Sequence, residues 1–132
     1  MNDQAIEQEI KANGLTAPRV TPADIEANIA SECFFIAGDA SCMTTAYCKA
    51  GRGFFNYQRH TLDKRPPQSF ELLTICILEL KNGFTVTGES ACASPENFDA
   101  ELGRKIARQN AVAKIWPLLG FSLKQKLHEA AK

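Results

Sequence analysis

A β-hairpin signal in the second half of the chain constrains the fold more than any other feature. Leu72–Leu80 is an almost continuous apolar run, and Asn82-Gly83 follows it, ahead of the alternating sequence FTVT. Asn-Gly favours a two-residue type I′ turn, which needs a positive φ at both central positions. We therefore predict an antiparallel hairpin in which the threonines of the second strand face solvent. The predicted pairs are Lys81 with Phe84, Glu79 with Val86, and Leu78 with Thr87.

Large side chains lie on both faces of the first predicted strand. Ile75 and Ile77 fall on one face, and Leu78 and Leu80 fall on the other. A strand that is apolar on both faces is typical of the centre of a sheet. Few other segments of the chain are available to cover it, so we expect a homo-oligomer.

Two helix starts carry a hydroxyl residue followed by proline, the pattern preferred at the N-cap and first helical position. Thr21-Pro22 predicts a helix from Pro22 to about Ser31, and Ser94-Pro95 predicts a longer helix that ends at Trp116, before Pro117. Gly120 then separates a last helix over 122–131. The apolar stripe expected on the long helix consists of Phe98, Leu102, Ile106, Ala113 and Trp116.

The complete prediction is one α+β domain over residues 1–132. It has a small antiparallel sheet centred on a β-hairpin, with a strand near Phe34 beside it, packed against a long helix and a short C-terminal helix. Residues 1–20 form either an arm or a short helix that ends at Asn13-Gly14. Residues 38–69 form an irregular insert that could hold a short helix within 40–49 and a strand within 53–59.

Charge and composition exclude several classes of protein. Fifteen basic residues balance fifteen acidic ones, which disfavours a nucleic-acid binder. No apolar run approaches the roughly 20 residues of a membrane span, and the polar start MNDQAIEQEIKANG has no signal-peptide core. We therefore expect a cytoplasmic protein, with reduced cysteines.

Catalytic and metal signals are weak. His60 and His128 have no nucleophile or carboxylate partner in sequence, so we expect no enzyme and no cofactor. Cys33, Cys42, Cys48 and His60 could in principle bind zinc, but a C-x2-C pair is absent, so we expect no metal. Cys76 and Cys92 read as small buried hydrophobes. Aromatic and basic residues interleave in the insert, where they either stack on a base or pack on the core: Arg52, Phe54, Tyr57 and Arg59.

The longest motifs of the chain resemble those of a family of small tailed-phage and prophage proteins. Members combine a hairpin of the form NGFTVTGESAC with PENFDAELGRKIARQNA and a following W-x-L-x-G-Y/F segment, and all three occur here. The resemblance covers roughly 20–37 and 70–128. The layout of hairpin and C-terminal helices is also similar to the first type of Thoeris anti-defence protein. Those phage sponges bind cyclic ADP-ribose-type and cyclic oligonucleotide signals and assemble as oligomers.

This second resemblance implies a phage accessory protein that sequesters a host nucleotide signal. Arg104 and Arg108, one helical turn apart, could grip a phosphate, although a solvated face in which Glu101 pairs with Lys105 and Arg108 is the alternative. Binding of a host protein, without a small ligand, is the alternative function. The candidate ligand-binding residues are Arg104, Arg108, Asn97, Phe84 and Asn110.

Overall fold

The computed structural model describes residues 2–43, 48–50, 53–55 and 65–132, with the side chains of 2–42 and 65–132. The helices are α1 (Asp3–Ala12), α2 (Pro22–Ala27), α3 (Ala37–Met43), α4 (Gln68–Glu71) and α5 (Ala100–Ala130), and Pro95–Asn97 form a 3₁₀ turn. The strands are β1 (Ile29–Ile36), β2 (Cys48–Ala50), β3 (Gly53–Phe55), β4 (Leu73–Leu80) and β5 (Thr85–Ala91).

The main sheet is antiparallel with the order β1-β4-β5, which confirms the α+β class and places the Phe34 strand beside the hairpin as predicted. Phe34 lies opposite Cys76, and Cys76 lies opposite Gly88. The short β2 and β3 pair separately with each other. Helices α3, α4 and these two strands all fall within or beside the region predicted as an irregular insert.

The hairpin loop has three residues, so the predicted two-residue turn is wrong. The pairing of the two strands is therefore shifted by one residue from the predicted register. Gly83 N donates to Leu80 O at 2.9 Å, and Leu80 N donates to Phe84 O at 2.8 Å. Gly83 has a φ of +90°, whereas Asn82 does not enter the positive-φ region and accepts from Phe84 N through its side chain at 3.0 Å. This side-chain bond favours a turn closed by a single left-handed glycine. The observed pairs are Glu79 with Thr85, Leu78 with Val86, and Ile77 with Thr87.

The core lies between one face of the sheet and α5, and the predicted apolar stripe of α5 is not the buried one. Leu102 is 53% exposed and Ile106 is 38% exposed. The glycine at the centre of β5 explains the difference, because a Cβ on Gly88 would lie 2.2 Å from Ala107 O. At this close approach only small residues fit under the helix. The buried row of α5 consists of the small residues Gly103, Ala107 and Ala111, followed one turn later by Ile115.

Helix α5 starts later and ends later than predicted. Asp99 is its N-cap and accepts from Leu102 N at 3.1 Å. The helix then continues through Pro117 and Gly120 to Ala130, so the last helix is not separate. Proline removes one backbone hydrogen bond but keeps a φ that suits a helix. Trp116 and Leu119, on both sides of Pro117, pack against the core and hold the helix across that position.

The short-helix alternative for residues 1–20 and the helix predicted to start at Pro22 are both observed, and each helix is shorter than predicted. Thr21 caps α2 in a capping box with Asp24, and Ile25 is 1% exposed. The helix ends at Ala27 because the chain enters β1 at Ile29. Helix α1 ends at Asn13-Gly14, where Gly14 has a φ of +69°. Across the described ranges, no helix has both the length and the apolar character needed to cross a membrane.

Candidate functional site

Arg108, predicted to bind phosphate, is occupied by two carboxylates. Its Nε donates to Glu32 Oε2 at 2.8 Å, and its Nη2 donates to Glu26 Oε2 at 3.0 Å. These hydrogen bonds, with Glu26 contributing most, raise the pKa of the Arg108 guanidinium. The side chain therefore joins α5 to α2 and β1. Its charge is already balanced by two acidic groups, and this reduces its attraction for a phosphate.

Arg104 does not join Arg108 in a two-arginine site. Its side chain is exposed and makes no ion pair with any described residue. The neighbouring Lys105 Nζ lies 3.5 Å from a carboxylate oxygen of Glu101, as the solvated-face alternative predicted. The other predicted pair, between Glu101 and Arg108, is not observed, because Arg108 contacts Glu26 on α2 and Glu32 on β1. This part of α5 resembles a solvated helix face more than a built anion site.

The other three predicted residues lie elsewhere on the molecule. Asn110 Nδ2 donates to Glu89 O at 2.7 Å, on the β5 side of α5, whereas Arg108 faces β1. Asn97 is exposed in the 3₁₀ turn. Phe84, 52% exposed, follows the hairpin loop. The five residues therefore do not converge on one site within the chain.

A groove with free cations lies between α2, the hairpin loop and the C-terminal half of α5. We call it the lysine groove, and its volume is about 340 Å³. The side chains of Lys81 and Lys126 make no ion pair with any residue in the described ranges. Asn28 anchors the hairpin at this point, because it accepts from Lys81 N through its backbone oxygen at 3.0 Å and its side chain at 3.2 Å. The lining residues are Arg19, Val20, Asp24, Ala27, Asn28, Lys81, Leu119, Ser122, Leu123 and Lys126.

A second groove, which we call the tryptophan groove, lies between α1 and Trp116. Its volume is about 270 Å³. Trp116 Nε1 donates to Asp3 Oδ2 at 3.2 Å, which joins the start of α1 to α5. The lining residues are Asp3, Ile6, Glu7, Ile10, Arg19, Val20, Pro22 and Trp116. The two grooves adjoin, since both are lined by Arg19 and Val20.

Arg19 and Val20 line both grooves, and we call them the ridge between the grooves. An ion pair with Glu7 holds Arg19 in place. Arg19 Nη1 donates to Glu7 Oε2 at 2.9 Å, and its Nη2 contacts the other carboxylate oxygen. The Glu7 side chain is 7% exposed, so this carboxylate is taken out of water. The hydrogen bond from Arg19 lowers the pKa of Glu7 below its ordinary value, against the opposing effect of burial. Arg19 is thereby largely neutralised, and the free positive charge of the lysine groove resides on its two lysines.

Cysteines and histidines do not form a site in the described residues. Cys33, Cys42, Cys76 and Cys92 are free thiols, and no group of three or more potential metal ligands occurs among the described side chains. Cys76 is fully buried as predicted, and burial raises the pKa of its thiol. Cys92 is half-buried and donates to Ser94 O. The side chains of Cys48, Arg52, Phe54, Tyr57, Arg59 and His60 lie outside the described residues.

Sequence reasoning did not find either groove. Each is assembled from segments that are distant along the chain, near residues 3–28, Lys81 and 116–126. The lysines carried no local signal, because a lysine in a turn or on a helix is usually a solvated residue. Trp116 packs against the core as predicted, and its half-buried side chain also lines the tryptophan groove, which the sequence did not indicate.

Comparison with known proteins identifies the class of the chain. It belongs to the phage protein (N4 Gp49/phage Sf6 gene 66) family, which it matches over residues 20–127. The prediction of a phage protein family is thus confirmed. No curated protein and no solved structure matches the chain. The similarity to Thoeris anti-defence proteins remains a prediction. Both lysines of the lysine groove lie within the matched range, whereas α1 precedes it.

Proposed function

We propose that this phage protein binds and sequesters a host nucleotide signal, of the cyclic ADP-ribose or cyclic oligonucleotide type, and so counteracts antiphage defence. The observation that carries the proposal is the lysine groove, in which Lys81 and Lys126 face a concave surface without acidic partners in the described chain. This replaces Arg104 and Arg108 as the phosphate-binding pair, because Arg108 is bound to Glu26 and Glu32.

The two lysines outnumber the acidic residue that lines the groove. That residue is Asp24, whose carboxylate accepts from Thr21 N at 2.9 Å in the capping box of α2, a bond that brings no balancing positive charge. Arg19 is paired with Glu7. Ammonium groups are common phosphate ligands, and a concave surface with an excess of positive charge raises the local concentration of an anion. The groove therefore suits a ligand with at least one phosphate.

The apolar side of the groove suits the rest of a nucleotide. Val20, Leu119 and Leu123 form this side, with Asn28 and Ser122 as polar neighbours. Small-molecule sites commonly combine an apolar lining with a few polar groups, and their volumes start at about 300 Å³. No histidine or cysteine lines the groove, so the proposal is binding without a catalytic step.

Calorimetric titration of the full chain with cyclic ADP-ribose isomers and cyclic trinucleotides, at low salt, tests the proposal. We expect saturable binding to at least one of them, and affinity reduced about tenfold or more, equivalent to about 1.4 kcal/mol, in the Lys81→Glu/Lys126→Glu variant. Lys114→Glu/Lys124→Glu is the matched control, since it makes the same change in net charge and both lysines are exposed on the same helix and line neither groove. Absence of binding across the panel, or equal affinity in the double variant, would contradict the proposal.

Binding of a host protein is the second candidate, and exposed apolar residues on α5 favour it. Phe121 is 74% exposed, Leu102 is 53% exposed and Leu127 is 42% exposed. Contiguous exposed apolar side chains are typical of interaction surfaces, and Leu102 and Ile106, one helical turn apart, are both exposed. Affinity purification from infected cells separates the two candidates. A stoichiometric host protein favours this one, whereas a nucleotide released on heating favours sequestration.

Homo-oligomerisation also remains a prediction. The sheet face opposite α5 carries Phe35, Ile75 and Ile77, all half-buried. Light scattering during size-exclusion chromatography measures the mass in solution, and a mass of one chain at all concentrations would contradict the expectation.

A further inference from the structure

The tryptophan groove and the lysine groove together have the form of a two-part site. They meet at Arg19 and Val20, and they differ in character. The lysine groove offers free cations, whereas the tryptophan groove is mostly apolar and is lined by Ile6, Ile10 and the indole of Trp116. A ligand that is anionic at one end and flat and apolar at the other would match both parts.

We propose that the tryptophan groove binds an amino-bearing nucleobase, such as adenine, whose phosphate lies in the lysine groove. This inference rests on the proposed function and adds the part of the ligand that is recognised. The base is placed here because base faces stack on aromatic side chains. Trp116 is half-buried and its orientation is fixed by the hydrogen bond from Nε1 to Asp3.

The acidic residues of the tryptophan groove define which base edge fits. Asp3 accepts one hydrogen bond, from Trp116, and an ionised carboxylate has about four acceptor positions. Asp3 is exposed and can therefore accept from an exocyclic amino group. Glu7 is not available, because both of its oxygens face the Arg19 guanidinium and its side chain is 7% exposed. The groove thus favours a base that donates over a base that presents a carbonyl at the same position.

The ridge between the grooves is where the sugar of the ligand would lie. Val20 gives it an apolar surface, and the ion pair with Glu7 keeps Arg19 in place. Arg19 lines both grooves, so its guanidinium borders the path between base and phosphate.

The chain has one tryptophan, so its intrinsic fluorescence reports on the tryptophan groove directly. We would titrate the full chain with AMP, IMP and ribose 5-phosphate and record both fluorescence and binding heat. AMP is expected to change Trp116 emission and to bind about tenfold more tightly than IMP, which carries a carbonyl in place of the amino group. Ribose 5-phosphate is expected to bind more weakly than AMP and to leave the emission unchanged.

Asp3→Asn is the variant for base selection, because the exposed first turn of α1 tolerates it and Asn2 still caps the helix. It should reduce the preference for AMP over IMP, and Glu9→Gln, an exposed change on the same helix, should retain it. Equal binding of AMP and ribose 5-phosphate, or unchanged Trp116 emission with AMP, would overturn the inference. The proposed function is tested separately: binding of the cyclic signals through Lys81 and Lys126 would support it, and absence of that binding would contradict it.

Discussion

Gly88 is the residue at which helix α5 and the sheet come closest. A Cβ at this position would lie 2.2 Å from Ala107 O and 2.3 Å from Ala111 N, both of them backbone atoms that cannot rotate away. The small side chains beneath the helix follow from this approach, since larger ones would separate the two layers. Arg108 adds a polar contact at the side of the same interface, to Glu26 and Glu32.

Gly88→Ala is expected to lower the free energy of unfolding by about 3 kcal/mol, because the added methyl group forces α5 away from β5. Urea denaturation measures the change. Thr87→Ala, on the exposed face of the same strand, is the control and should cost about 1 kcal/mol or less. A Gly88→Ala variant as stable as the parent would show that α5 does not rest on β5 as described.

Helix α5 is the element that departs most from its predicted form. It has 31 residues, and the part after Pro117 continues past two residues that ordinarily end or weaken helices. Leu119 and Leu123 in this part line the lysine groove together with Lys126. The continuity of the helix through Gly120 therefore determines whether the groove exists.

Gly120→Ala tests that continuity. A Cβ at Gly120 meets no atom within 4 Å, so the substitution should raise the free energy of unfolding by about 1 kcal/mol, the difference in helix propensity. Gly14→Ala is the matched control: it also has open space, but its φ of +69° is left-handed, and alanine there should cost about 1 kcal/mol. Thermal or urea unfolding measures the change. A free energy of unfolding that falls in Gly120→Ala would indicate that the helix is broken at this position.

On the scale of the whole molecule, two polar contacts among the described residues attach α1 to the body near the grooves. These are the Glu7–Arg19 ion pair and the hydrogen bond from Trp116 to Asp3. Since α1 forms one wall of the tryptophan groove, its attachment controls the shape of that groove.

The attachment of α1 should depend on pH in the acid range. The folded-state pKa of Glu7 is lowered from 4.5 by the hydrogen bond from Arg19, so the ion pair contributes its full stability above about 4.5 and loses it as the pH falls through the folded value. We expect hydrogen exchange in α1 to accelerate, relative to the intrinsic rate, below about pH 4.5. In the Glu7→Gln variant exchange should already be fast at neutral pH, and Glu9→Gln should behave like the parent. An exchange rate in α1 that is insensitive to Glu7→Gln would contradict this role.

Local chemistry in the sequence alone determined where helix α2 starts, where the hairpin lies and which residues of its second strand face solvent. Thr21-Pro22 predicted the start of α2, Asn82-Gly83 located the hairpin, and the alternation after it predicted solvent-facing threonines. The motifs of the hairpin and the long helix indicated the phage family. The helix start and the hairpin depend on residues within a few positions of each other, so nearest-neighbour sterics and hydrogen bonds are sufficient to specify them, whereas the family was indicated by resemblance.

The tertiary structure alone decided the features on which the proposed function rests. Arg108 became a structural residue through Glu26, 82 positions away, and Trp116 became part of a groove wall through Asp3, 113 positions away. The buried face of α5 was set by Gly88 on another element. Periodicity within a helix shows which residues share a face, but the partner surface selects which face is buried. The two grooves exist because distant segments meet, and no local pattern encodes that meeting.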